Sequence, residues 1–125
     1  FPWHKKMVEA AHNAGKLAVL HSCGYMGDIM EDVIEDMKYD GRHSYEDNII
    51  PVEEAYRRWG GRIAILGGMD VDFLIRSDED AIKARAKNML ALSEEKGGYA
   101  LGSGNSIPYY IPNEKYFAMT SVVAE

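Results

Sequence analysis

Four short apolar runs, each ending in a loop that leads into a stretch of helical periodicity, constrain this chain more than any other feature. They fall at residues 17–21, 41–45, 63–66 and 99–101, the second being the most polar. Runs that are continuous rather than alternating call for a sheet covered on both faces, and short βα alternation calls for parallel strands. Two architectures meet these demands: a small doubly wound sheet, or part of a (β/α)8 barrel. A complete barrel takes roughly 250 residues, about twice the 125 present here. The chain also opens on a helix with no strand before it, and on Phe1 rather than a methionine. The expectation is an α/β fold of four consecutive βα units, a single domain over residues 1–125 forming half of a (β/α)8 barrel.

The helical segments carry their own punctuation. Pro2 starts the first, whose apolar stripe is Trp3, Met7, Ala11 and Ala14, and Gly15 stops it. Asp28 is expected to cap a helix with Ile29, Val33, Ile34 and Met37 on its apolar face. Pro51 opens a third with Val52, Ala55, Tyr56 and Trp59 on one side, closed by Gly60-Gly61. A short helical turn is expected around residues 72–74. Ser77 and Asp80 read as a capping box before the longest helix, with Ile82, Ala86, Met89 and Leu90 as its stripe and Gly97 as its stop. A final helix begins near Asn113 and carries Tyr116, Phe117 and Met119.

Composition removes several classes of function. A chain of this length, 46% hydrophobic, has enough for one core and too little for two. Twenty acidic residues against 14 basic ones give a net charge of −6, with no concentration of Lys or Arg. Nucleic acid and anionic membrane surfaces are therefore not expected as partners. No apolar run approaches a membrane span and no signal pattern opens the chain, so a cytoplasmic protein is expected. Cys23 is the only cysteine, which excludes an intrachain disulfide. A lone cysteine is more often a small buried hydrophobe than a reactive group.

The chemistry is expected at the carboxyl ends of the strands, where α/β enzymes gather it. The first strand leads into His21-Ser22-Cys23-Gly24. In an extended segment the side chains at i and i+2 project together, so His21 and Cys23 would form half of a zinc site, or a nucleophile with its base. The second strand ends in His43-Ser44-Tyr45-Glu46-Asp47-Asn48. From there Glu46 could reach a metal on His21 and Cys23, or act as a base, or lie solvated in a loop; Asp47 and Asn48 suit a turn. In Gly67-Gly68-Met69-Asp70 the glycines let backbone approach a ligand and Asp70 could bind a polar substrate group. Alternatively Asp70 or Asp72 caps a helical turn. Gly102-Ser103-Gly104-Asn105-Ser106 offers backbone N–H groups where many barrels bind phosphate, making Ser103, Gly104 and Asn105 candidates for substrate contact. Tyr109 and Tyr110 could wall a cavity or cover the core. His4 and His12, on the opening helix, receive no role.

Taken in order, His-x-Cys-Gly, an acidic strand end preceded by Asp40-Gly41, Leu-Gly-Gly-Met-Asp and Gly-Ser-Gly-Asn-Ser-Ile-Pro resemble the carboxyl-terminal half of the uroporphyrinogen decarboxylase superfamily. That superfamily also holds corrinoid-dependent methyltransferases. The resemblance spans nearly the whole chain and implies a (β/α)8 barrel whose last four strands are these. In the methyltransferase branch His-x-Cys and a later cysteine bind zinc. His21 and Cys23 match the first two, and the later position falls at or beside Asn105. Zinc here would need Glu46, a water or a substrate atom as a further ligand. In the decarboxylase branch a histidine near the final strand end lies in the porphyrinogen cleft, and Ser103 stands there in this chain. That branch's essential aspartate and arginine belong to the amino-terminal half.

The resemblance implies, first, a zinc-assisted methyltransferase working with a methylated corrinoid or other methyl donor. In it zinc would act as Lewis acid, Glu46 would complete the metal shell or move a proton, and the third and fourth loops would form the rim. The alternatives are a decarboxylase of tetrapyrrole biosynthesis and a non-catalytic binding half-barrel. Open sheet edges and an uncovered face call for a partner, either an amino-terminal half-barrel or a second copy of the chain.

Overall fold

The computed structural model describes residues 1–124. Helix α1 (Pro2–Asn13) precedes β1 (Val19–His21), β2 (Gly41–His43), α2 (Val52–Trp59), β3 (Ala64–Leu66), α3 (Val71–Arg76), α4 (Glu79–Ser93), β4 (Tyr99–Ala100) and α5 (Asn113–Ser121). The four strands form one parallel sheet in chain order, β1-β2-β3-β4. This is the arrangement of four consecutive βα units of a (β/α)8 barrel. Each strand is shorter than its apolar run, and an isolated parallel bridge between Met69 and Ser103 continues the β3–β4 pairing into the loops.

Register sorts the side chains. Leu20, Arg42, Ile65 and Tyr99 lie on one row and pack toward the helices. Val19 and His21, Gly41 and His43, Ala64 and Leu66, and Ala100 belong to the opposite row. That row is the inner face of a barrel, and here it is open: Val19, His21 and Ala100 are exposed, Ala64 and Leu66 only half-buried. The core lies on the other side in two clusters. One centres on Met30, Val33, Tyr56 and Ile65, the other on Leu74, Ile82, Ala86 and Met119.

Several local expectations are corrected. Helix α1 turns Trp3 and Met7 outward and buries Val8, because polar contacts set its rotation: His4 to Tyr39, Lys5 to Asp36 and His12 to Asp40. Asp28 caps no α-helix. Residues 27–29 form a 3-10 turn and 32–36 a π-helix, with the Met37 N–H bonded to the Asp32 carbonyl. The sequence places Glu31 and Glu35, and Asp32 and Asp36, at i,i+4, a spacing at which like charges repel. Arg62 from beyond α2 spans Glu31 and Glu35. The expected apolar residues still point inward, Val33 and Met37 fully. Before α4 the cap is Asp78, whose carboxylate accepts from the Ala81 N–H, rather than a Ser77–Asp80 box. Tyr109 and Tyr110 are both exposed and set edge to face on each other rather than over the core.

Candidate functional site

Because β1 and β2 pair with His21 opposite His43, two imidazoles meet at adjacent strand ends. Their Nδ1 atoms are 2.8 Å apart and the ring centroids 4.9 Å. Cys23, two residues beyond His21, carries its Sγ 3.9 Å from His21 Nε2 and is exposed. The i, i+2 argument thus brings His21 and Cys23 together, and the buried reading of the cysteine does not hold. His43 turns its other nitrogen, Nε2, to the Ser103 carbonyl at 3.0 Å. Asn105 approaches from the fourth loop, its Nδ2 3.6 Å from Cys23 Sγ while its Oδ1 accepts from the Ser106 N–H. Four side chains from three strand ends, those of β1, β2 and β4, therefore converge on one spot.

The loop that carries Cys23 is held from beneath. Arg42 is 1% exposed, and its Nη2 donates to the carbonyls of Ser22 and Gly24, on either side of the cysteine. Its guanidinium lies over the Tyr45 ring, 4.6 Å from the centroid.

The other candidates are placed as follows. Asp70 is buried, and its carboxylate caps α3 by accepting from the N–H groups of Asp72 and Phe73, while Oδ2 accepts from the Asp47 N–H. These three backbone donors occupy both oxygens, which is the capping alternative raised from the sequence. The space left by the glycines is filled by the chain itself. A Cβ on Gly67 would overlap the Ser103 carbonyl, on Gly68 the Val52 side chain, and on Gly104 the Tyr45 carbonyl. Glu46 lines a cleft of about 310 Å³ with Asn48, Asp70, Asp72, Gly104 and Asn105. That cleft adjoins the His21–Cys23 spot through Asn105. A larger groove, about 1070 Å³ on the outer side between α2 and α4, shares no lining residue with His21 or Cys23. Among the described residues no three His, Cys, Asp or Glu side chains stand close enough to hold a metal ion together.

Sequence reasoning missed His43 and Arg42. The signal for His43 was available, since β1 and β2 each end in a histidine and parallel neighbours in register set such residues side by side. Arg42 offered none, because an arginine in a strand is ordinarily read as solvated.

No curated protein matches the chain. A solved methyltransferase from Methanosarcina mazei resembles it with a TM-score of 0.69 and 26% identity, over 95% of this chain and 34% of that one. The chain thus spans about a third of that structure. The fold, the converging strand ends and the motif order all agree with the match of the uroporphyrinogen decarboxylase (URO-D) family profile to residues 1–125, and the chain belongs to that family.

Proposed function

We propose that this chain contributes the metal-binding end of a zinc-assisted methyltransferase, completed by an amino-terminal half-barrel or a second copy of itself. The observation that carries this reading is the 3.9 Å separation of His21 Nε2 and Cys23 Sγ at the carboxyl end of β1. Two such donors on one tetrahedral zinc, with bonds of about 2.0 and 2.3 Å, stand about 3.5 Å apart. The pair fits that ion with little movement. Asn105 presents an N–H to the sulfur rather than an oxygen to a metal, so it suits stabilising a thiolate.

Bound zinc would supply Lewis acidity to a thiol acceptor or to the oxygen of a methyl donor. The chain's own groups do the rest. His21 and Cys23 would hold the ion, and Arg42 fixes the carbonyls on either side of Cys23. Glu46, in the neighbouring cleft, is the carboxylate available to approach as a further ligand or to move a proton. A methylated corrinoid would enter from the open inner face. The relative from Methanosarcina mazei, a methyltransferase, supports this branch of the family.

Zinc titration of the chain against a competing chromophoric chelator tests the reading. One zinc per chain is expected, lost in a His21→Ala, Cys23→Ala double variant that retains its circular dichroism. Absence of binding, or equal binding in the variant, overturns it.

A further inference from the structure

The contact between His21 and His43 has a direction. The Ser103 carbonyl can only accept, so His43 Nε2, 3.0 Å away, must carry a hydrogen. In a neutral ring His43 Nδ1 is then a lone pair. The 2.8 Å approach of the two Nδ1 atoms needs one donor, which leaves His21 Nδ1 as the N–H. His21 Nε2 is therefore the nitrogen with a free lone pair, and it is the one facing Cys23 Sγ. Donor and acceptor matching passes from a backbone carbonyl through two imidazoles to the open side of the site.

The end of this chain of bonds is rigid. Ser103 pairs with Met69 in a parallel bridge, and the Met69 N–H bonds to the Gly102 carbonyl. Gly67 leaves the room in which the His43–Ser103 bond forms. A Cβ there would overlap the Ser103 carbonyl and lie 2.8 Å from His43 Nε2.

We infer that His43 is a positioning residue that locks His21 in the Nδ1–H form and so keeps Nε2 open toward Cys23. A free imidazole side chain favours the opposite tautomer, with hydrogen on Nε2. Without His43 the nitrogen facing Cys23 would carry that hydrogen in most molecules, and the ring would be free to turn. Outer partners of this kind commonly contribute 10-fold to 100-fold to metal affinity. The lock itself is a property of the metal-free chain, and its link to metal rests on the function proposed above.

The test is a long-range proton–nitrogen correlation spectrum of the 15N-labelled, metal-free chain in mildly alkaline buffer. In the native chain His21 is expected to show a pyrrole-type Nδ1 and a pyridine-type Nε2. His43→Leu is expected to return His21 to the Nε2–H form. His43→Asn, which can keep a carbonyl oxygen near the position of Nδ1, is expected to retain the native form. A structural role alone would not separate these two variants. A native spectrum with hydrogen on His21 Nε2 overturns the inference even if His43→Leu fails to fold, and so does an unchanged tautomer in folded His43→Leu. Zinc titration of the same samples separates the two ideas. Affinity reduced about 10-fold to 100-fold in His43→Leu supports the coupling to metal. A native chain that shows the lock and binds no zinc supports the lock and overturns the metal reading.

Discussion

Arg42 and Arg85 are both withdrawn from water, yet their surroundings differ in kind. Arg85, on α4, makes paired hydrogen bonds to Asp47 at 2.6 and 2.7 Å and to Glu53 at 2.7 and 3.0 Å, and lies over the Phe73 ring. Its charge is answered by two carboxylates. Arg42 has two carbonyls and Tyr45 for company, and Ser44 Oγ, two residues on, is buried without a hydrogen-bond partner. The outer layer of this half-barrel answers its buried charge with carboxylates, while the strand end beneath the site answers it with carbonyls and a tyrosine. Unsatisfied buried polar groups cost stability, and proteins tolerate them where geometry at a site depends on them. The difference separates a scaffold arginine from one that holds a loop in place.

Three changes would break or sharpen that contrast. The largest effect is expected from Arg85→Met, which removes the cation bonded to both Asp47 and Glu53 and leaves only the more distant Arg57 acting on Glu53. Stability should fall by about 3 kcal/mol, read as a lower urea midpoint with an unchanged slope. The loss should also depend on pH. Burial is the largest single influence on Glu53 and raises its pKa, but the Arg85 hydrogen bond, the backbone N–H and the charges of Arg85 and Arg57 together outweigh it, and the group ends below its ordinary value of 4.5. A depressed carboxylate contributes its stability above the unfolded pKa and loses it as pH falls through the folded one. The gap between native chain and variant should therefore be full at neutral pH and shrink below about pH 4.5. A gap independent of pH would mean that Arg85 acts through packing on Phe73.

Gly67→Ala comes next, at about 2 kcal/mol, because it forces a side chain onto a residue at φ +80° and into the Ser103 carbonyl. Unlike Arg85→Met, it should also change the nitrogen shifts of His43. The smallest stability change is expected from Arg42→Met, within about 1 kcal/mol of the native chain, since replacing a buried charge by an apolar side chain is often neutral. Its signature should lie in the loop instead, as a several-fold faster alkylation of Cys23 once the flanking carbonyls lose their donor. A large loss of stability with no change in alkylation would reverse the assignment.

The elements were legible because burial on one side of a parallel sheet leaves continuous apolar runs, and Gly15 and Pro51 mark real helix ends, while Gly97 stands three residues past the α4 cap at Glu94. Rotation and fine geometry were not. The Trp3 and Met7 stripe gave the period of α1 correctly and its orientation wrongly, since His4 and His12 dock it through residues 35 and 28 positions away. Asp28, Ser77 and Asp80 are all credible caps by residue type, and only backbone conformation selects Asp78. At the site, the His21–Cys23 pair was readable from i, i+2 alternation because it lies within one segment. The His43 contact depends on register between two strands, and the Arg42 contact on which side of β2 each residue takes.

That register makes the site a matter of parity. Pairing places His21 opposite His43 and Leu20 opposite Arg42. If β2 slid by one residue, every side chain on it would change sides. In the slide that sets Arg42 opposite His21, Arg42 would face the barrel interior, His43 would turn among the helices, and Gly41 would fall where the guanidinium now lies. The connection across residues 22–40 can gain or lose residues as long as the strand re-enters in the same phase. A single insertion between Gly41 and Arg42 would put a fixed positive charge where a hydrogen-bonding ring now lies. The length of that loop is thus open to drift, while the phase of three residues decides whether there is a site at all.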